Sequence, residues 1–390
     1  MNLRTRCLTS MFTIGLAGCG GGSGPSSSAT QTVLDNYATN LFAAYSDTVT
    51  DEVAFKATVE TFLAAPTEAN LAVARTAWLA SRAHYMLVEG ARFYDGPIDL
   101  DPPNHEAAVN SWPLDEAYLD YTTTDGVIDD TSGIINNPSE LPTIDVAGMD
   151  ALNGKLSDSN ISDGYHAIEF LLWGQALAAV GPGTRPATDY QPGGPRPNVD
   201  RRSQYLRTAV DGVIQHLTAV RDAWAPGATY RTTFTSGGKA SLGLILTGLG
   251  KMSKGELAGQ RLDAPYQSKS RRDQHDCFSS ETLTDYTRDA QGILDMYQGH
   301  YGTNTTGPGI STLVAAADSA ANDKLVATLQ RSIDLMKAIP APFEASIVGA
   351  DDAVGRTSIK AVVTSLRAQG DQLATAASSL GLSIVIPDAN

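Results

Sequence analysis

His166 and Glu169 lie three residues apart in Gly164-Tyr165-His166-Ala167-Ile168-Glu169-Phe170-Leu171-Leu172-Trp173-Gly174, a run that is otherwise apolar. On an α-helix, positions i and i+3 share a face, so this imidazole and carboxylate can converge on one point. An ionised glutamate buried without a partner costs several kcal/mol, so Glu169 calls for a proton, a cation or a metal. A second stripe is formed by Trp78, Arg82, Tyr85 and Glu89, spaced four, three and four apart. Two aromatics alternating with two charges match neither an aliphatic core stripe nor a solvated face. The stripe reads either as a buried Arg82–Glu89 pair holding two helices, or as a pocket wall. In the pocket reading Glu89 is a ligand, and Arg82, Tyr85 and Trp78 orient it. Trp112-Pro113-Leu114-Asp115-Glu116-Ala117-Tyr118 opens a further helix, with Pro113 in its first turn. Asp115 there is either a surface acid favoured by the helix dipole or the third carboxylate of a site with Glu89, His166 and Glu169.

Three carboxylates and one neutral imidazole suit iron best, with zinc or manganese as other candidates, because an oxygen-rich set leans toward harder ions. Carboxylate-and-histidine sites inside helix bundles are a recurring solution for iron. A zinc peptidase of the helical type needs a second motif histidine. Neither His-Glu-x-x-His nor His-x-x-Glu-His is present, so binding without catalysis is favoured over peptidase chemistry. His84, His105, His216 and His300 read as structural or exposed. His275-Asp276-Cys277 is a cluster of more interest, but no base is legible near Cys277, which reads as a packed, inert thiol. Gly255-Glu256-Leu257-Ala258-Gly259 reads as a place where two helices approach closely. No phosphate loop or dinucleotide fingerprint appears.

Helices must position these groups. Apolar residues recur at helical spacing over 31–45, 68–89, 199–224, 239–260, 280–297, 311–338 and 355–379. Period-2 patterns are scarce, and Ser383-Ile384-Val385-Ile386 is the best strand candidate. Long loops are expected over 94–113, 122–162 and 174–200, the last broken by Gly181-Pro182-Gly183 and Pro192-Gly193-Gly194-Pro195. The expected fold class is all-α, with two four-helix-bundle domains joined by long Gly/Pro-rich loops. A break at Ala225-Pro226-Gly227 sets their bounds at 31–226, which carries the His-x-x-Glu motif, and 227–390.

The chain has 390 residues, 42% of them hydrophobic and 18% charged, which excludes global disorder. A net charge of -15 argues against nucleic acid as a partner. Arg4 and Arg6 precede a short apolar stretch, Leu8 to Ala17, as in a signal peptide over residues 1–18. Leu16-Ala17-Gly18-Cys19 has the order of a bacterial lipobox, which makes Cys19 the lipidation site and residues 19–30 a flexible tether. With Cys19 lipidated, Cys277 has no partner for a disulfide. The lipid is then the only expected contact with the membrane.

Several of these motifs together resemble the imelysin family. The Gly164–Gly174 segment matches its Gly-x-His-x-x-Glu signature. The likeness extends through Glu89-Gly90-Ala91-Arg92-Phe93-Tyr94-Asp95-Gly96-Pro97-Ile98-Asp99 and Trp112-Pro113-Leu114-Asp115. It continues in Asn198-Val199-Asp200-Arg201-Arg202, Gly255-Glu256-Leu257-Ala258-Gly259 and Asp276-Cys277-Phe278-Ser279, covering roughly residues 70 to 300. The resemblance implies two helical bundles with the His-x-x-Glu site near their junction. It also implies a metal site, a role in bacterial iron uptake and a peptidase designation. Acids near Glu89 and Asp115 joining the site are implied by related iron-uptake proteins. The expectation is therefore a lipid-anchored metal-binding protein on the periplasmic side of the outer membrane, working with other envelope uptake proteins on a metal ion or chelate. A metallopeptidase, or a binder of another ligand at the domain interface, is the alternative.

Overall fold

Ser26 opens the first helix by accepting a hydrogen bond from the Ala29 N–H at 3.2 Å, and the chain then stays helical to Ala64. The computed structural model describes residues 25–388. The expected signal peptide over 1–18, the expected lipidation site Cys19 and residues 20–24 of the expected tether lie outside the described residues. The helix starts inside the stretch expected as tether and runs well past Tyr45. Thr48 and Glu52 interrupt its apolar pattern, yet both are buried along with Val49, Phe55, Val59 and Phe62. Polar residues facing inward hid the second half of the helix.

The helices in order are α1 (Ser27–Ala64), α2 (Glu68–Met86), α3 (His105–Asn110), α4 (Glu116–Leu119), α5 (Val146–Asp150), α6 (Gly164–Trp173), α7 (Val199–Ala223) and α8 (Thr229–Ser236). α9 (Lys239–Lys251) runs into a π-helical segment, Met252–Asp263, and α10 (Ala264–Ser268) follows. α11 (Thr282–Gln298), α12 (Ile310–Ala317), α13 (Ser319–Lys337), α14 (Phe343–Ile347) and α15 (Val354–Ser379) complete the chain. The single helix expected over 311–338 is two. Asp318 leaves helical geometry at φ -154° and caps α13 through the Ala321 N–H at 3.0 Å. Residues 383–386 are not a strand. Instead β1 (Thr122–Thr124) pairs antiparallel with β2 (Val127–Asp129) inside a stretch expected as loop. Asp125 and Gly126, at φ 51° and 78°, form the two-residue turn that Asp-Gly favours between antiparallel strands.

α1 packs on α2 and α7, while α6 packs on α2, α3 and α7. α15 lies against α9, α13 and the π-helical segment, and α11 lies against α13 and α2. Every residue of α6 is buried, as an all-round apolar helix requires. Gly255 of the 255–259 motif faces open space, and close approach is shown instead at two other glycines. A Cβ on Gly248 of α9 would sit 2.6 Å from the Gly90 carbonyl, and one on Gly292 of α11 would strike the Leu87 carbonyl. Those two contacts clamp the 3-10 turn Glu89–Ala91 between α9 and α11. Among the described residues, no helix is long and apolar enough to cross a membrane.

The 174–200 connection is ordered by ion pairs. Arg185 and Arg202 both bond the buried Asp120 carboxylate, at 2.7 Å each. Arg271 donates to the Gly181 carbonyl at 2.8 Å.

Glu52 makes no hydrogen bond in the core, and burial pushes its carboxyl up to about 7, against the partly offsetting influence of Ser81, Tyr165 and Arg82. Between the ordinary value of 4.5 and about 7, the folded chain therefore holds a proton that the unfolded chain releases. Stability from this group is complete below that window and is lost as pH rises through it. Glu52→Gln should gain melting temperature over the parent as pH rises from roughly 4 to 8. A difference in melting temperature that does not change with pH would refute the assignment.

Candidate metal centre

α6 owes its position to Gly164. At φ 79° it takes a left-handed turn, and a Cβ there would sit 2.9 Å from the Ala108 carbonyl of α3. His166 and Glu169 then face the segment joining α10 to α11. Glu169 Oε1 accepts the Ser279 N–H at 2.6 Å, and its Oε2 lies 3.2 Å from His166 Nδ1. The same segment is fastened at the Asp276 N–H, which donates to Thr282 Oγ1 at 3.1 Å. The Cys277 carbonyl accepts from Arg271 at 3.0 Å. His275 is thereby carried to His166, 109 residues away in the chain.

The two imidazoles meet edge to face, with ring centroids 4.4 Å apart and an interplanar angle of 79°. Their Nε2 atoms are 3.3 Å apart. Each ring turns its Nδ1 toward a carboxylate, Glu169 for His166 and Asp276 Oδ2 at 3.1 Å for His275. A ring whose Nδ1 donates to its carboxylate leaves a lone pair on Nε2 that can take a metal. Asp276 Oδ1, 3.9 Å from His166 Nδ1, makes no hydrogen bond. Ligand atoms of His166, His275 and Asp276 all lie within 4.8 Å of one another, and all three residues are buried. Two neutral imidazoles, each oriented by a carboxylate, plus a carboxylate oxygen form a set that can hold a first-row divalent metal.

Burial, with the surrounding charges, keeps both histidines neutral. Burial pushes His166 down to about 3, helped by the Arg82 charge. Burial, then Arg261 and His166, holds His275 well below its usual range. The acids move the opposite way. Burial raises Glu169 to about 7 despite the Ser279 hydrogen bonds, and raises Asp276 against the pull of Arg82. Burial and Asp276 raise Asp285 to about 6. Glu89 and Asp289 share Arg261 and divide differently. Burial opposes ionisation of Glu89, but Arg261 and Arg92 outweigh it and hold its carboxyl well below the usual range. Burial raises Asp289 instead, so the proton of that pair resides on Asp289.

The structure unites His166 with Glu169 but distributes the other expected ligands. Glu89 is not in the histidine group. α2 ends at Met86, so Glu89 turns off the stripe and bonds Arg92 at 2.9 Å, Asn110 at 3.0 Å and Arg261. Asn110 Nδ2 lies 3.5 Å from His275 Nε2 and so links Glu89 to the centre. Asp115 is exposed, caps α4 through the Ala117 N–H at 3.2 Å and takes no part. Trp78, Arg82 and Tyr85 are buried as the stripe predicts. Arg82 stacks 4.9 Å from the Trp78 ring and 4.6 Å from the Tyr165 ring. Its partners, however, are Asp285 at 2.7 Å and Asp276 at 3.3 Å rather than Glu89. His275 and Asp276 were not expected as ligands. The only signal for them was their adjacency ahead of Cys277, whose thiol burial pushes up, as an inert thiol requires. The second histidine that the local motif lacks is supplied by the fold.

A mostly helical chain with a buried histidine–carboxylate centre is the class this geometry defines. Its family is equally plain. The Imelysin (peptidase M75) family model matches residues 41–373, and the chain belongs to the imelysin family. Among solved structures it is similar to a candidate iron-regulated protein A precursor from Parabacteroides distasonis, with a TM-score of 0.71 at 17% identity, covering 92% of this chain and 97% of that one. It is also similar to an imelysin-like protein from Psychrobacter arcticum, with a TM-score of 0.66 at 12% identity, covering 93% of this chain and 98% of that one. No curated protein sequence matches it significantly.

Arg82 is the cation on which Asp285 and Asp276 depend. Removing one partner of a buried ion pair typically costs about 3–5 kcal/mol. Arg82→Met should lose roughly that much in urea unfolding, and a variant as stable as the parent would show that the pairing is incidental.

Proposed function

We propose that this imelysin-family chain captures a divalent first-row metal, ferrous iron foremost, through His166, His275 and Asp276. Glu169 orients His166, and Arg82 with Asp285 sets the charge around Asp276. The observation that carries this reading is the buried Nε2–Nε2 approach of two histidines, each backed by a carboxylate. Two imidazoles and a carboxylate are the donors of many non-haem ferrous sites. The description of the Parabacteroides protein as iron-regulated points the same way. When bound, the metal would supply a positive charge among these imidazoles and carboxylates.

A cleft of about 430 Å³ opens beside the centre, lined by Arg92, Glu106, Asn110, Trp112, Glu256 and Asp273. Asn110 and Trp112 both touch His275. That volume lies in the range of small-ligand sites, so it admits a hydrated ion or a compact chelate more readily than a polypeptide. The lipobox at Leu16–Cys19 and the signal-like residues before it support an anchored protein of the bacterial envelope, on the periplasmic side of the outer membrane. Helix contacts support a division into two bundles, α1, α2, α6 and α7 in one, and α9, α11, α13 and α15 in the other. A second reading, a metallopeptidase, draws support from His275 as a second imidazole and from Glu169 as a carboxyl able to exchange a proton near neutral pH.

Metal analysis of the protein taken from its native compartment, with anaerobic ferrous titration, tests the reading. One metal per chain is expected, and His166→Ala and His275→Ala should each abolish it. Glu169→Gln, which disturbs only the orienting carboxylate, should weaken it roughly 10–100-fold. Absence of binding by iron, zinc, manganese and copper alike would sink the proposal. Chelator-sensitive cleavage of an unfolded protein, lost in Glu169→Gln, would replace it with the peptidase reading.

A further inference from the structure

Beside the last turn of α6, Arg185 carries a guanidinium with an unused edge. The side chain is buried, and its ionic contacts run through Nη1, to Asp120 at 2.7 Å and Asp189 at 3.6 Å. Its Nε is buried and makes no hydrogen bond. The rings of Tyr121 and Phe170 lie 4.7 and 5.2 Å from the guanidinium carbon and restrict its orientation. A buried N–H of a charged group left without an acceptor is rare and costly, and it calls for a partner.

There is room for one. A cavity of about 130 Å³, the volume of roughly four waters, is lined by Thr123, Gly174, Leu177, Thr184, Arg185 and Pro186. Gly174 lies against the arginine, where a Cβ would sit 3.1 Å from Arg185 Cβ and 3.5 Å from its Nε. The glycine therefore leaves that side of Nε uncovered. A helix C-terminus ordinarily disfavours an anion, because its last carbonyls are unpaired. In α6 all four are engaged. Phe170 accepts from the Gly174 N–H at 2.7 Å and Leu171 from the Tyr190 hydroxyl at 2.7 Å. Leu172 accepts from Arg75 at 2.8 Å, and Trp173 from the Arg185 N–H at 2.8 Å. Arg75 also donates to the Arg185 carbonyl at 2.7 Å, so two positive charges stand at this helix end.

We propose that this cavity binds a small monocarboxylate with a short alkyl body, of the size of acetate or propionate, on the free edge of Arg185. The Nε–H and Nη2–H of an arginine form a planar fork that matches the two oxygens of a carboxylate. Thr123 and Thr184 bring hydroxyls to the wall, while Leu177 and Pro186 offer apolar contact to alkyl carbons. Arg185 is the one charged side chain lining the cavity among the described residues, which suits a single negative charge better than a phosphate dianion. Its guanidinium is already held by Asp120 and the two rings, so little side-chain freedom remains to be lost on binding. The proposal does not depend on the function assigned to His166 and His275.

Titration of the full chain with propionate, followed by nuclear magnetic resonance of the arginine Nε–H groups, tests it. The Arg185 signal is identified by its loss in Arg185→Lys. It should move downfield and saturate at one propionate per chain, and neither propylamine nor inorganic phosphate should displace the ligand. Thr184→Trp places a large ring at an exposed position of the lining, away from the Arg185 ion pairs, and should weaken binding roughly 10-fold or more. An Arg185 Nε–H signal that propionate does not move would leave an ordered water as its only partner and overturn the proposal. Displacement by phosphate at equal concentration would overturn it too, as would a shift undiminished in Thr184→Trp.

Discussion

Two fully buried arginines govern the interior of this protein. Arg82 and Arg261 reach a region that also holds Glu89, Glu169, Asp276, Asp285 and Asp289, all of them buried. A guanidinium stays charged in any such setting, so the acids must adapt to it. Each arginine captures a carboxylate at short range, Asp285 for Arg82 and Glu89 for Arg261. Of these acids only Glu89 is held ionised well below its usual range, and burial displaces the others, Asp285 included, toward protonation. Isolated charges of this kind cost several kcal/mol each, which is why they occur here as a network in which almost every charge faces its opposite.

Burial, reinforced by the arginines, decides the state of the histidines. A positive field in a dry interior disfavours imidazolium, and both His166 and His275 are pushed to the neutral form that a metal requires. Their Nε2 atoms lie 3.3 Å apart within this network. Asn110 reaches His275 Nε2 only at 3.5 Å and is already engaged by Arg82 and Glu89. Stability would be better served by an apolar pair of the same volume. Retaining two imidazoles there is therefore an argument for a ligand.

Much of this was legible in the sequence because helix periodicity is a local signal. The His166/Glu169 face, the Trp78–Arg82–Tyr85 stripe and most long helices follow from spacing alone. What escaped was nonlocal or depended on chain breaks. Glu89 left its stripe because α2 stops at Met86, three residues short of the expected end. Asp115 sits at a helix start, where the commonplace capping role won. α1 extends beyond its apolar pattern because Thr48 and Glu52 are polar and buried. His275 could not be joined to His166 by any spacing rule, since the Ser279–Glu169 hydrogen bond that unites them spans 110 residues.

That separation makes backbone contact a requirement of the chemistry. His166 and His275 come from parts of the chain with independent helical frames, and a change of a few tenths of an ångström would alter what lies between them. Side chains packed against side chains tolerate such slippage, whereas backbone against backbone does not. Gly164 sets α6 directly on the α3 carbonyls, and Gly292 sets α11 directly on the Leu87 carbonyl. Gly248 closes α9 onto the turn that carries Glu89. The π-helical segment contributes in the same sense, because its wider turn places Arg261 and Glu256, five residues apart, in contact at 3.0 Å while Arg261 still reaches Glu89 and Asp289. The centre is thus held by glycine contacts and one irregular helix, features that cost stability in isolation and persist because the positions of two histidines depend on them.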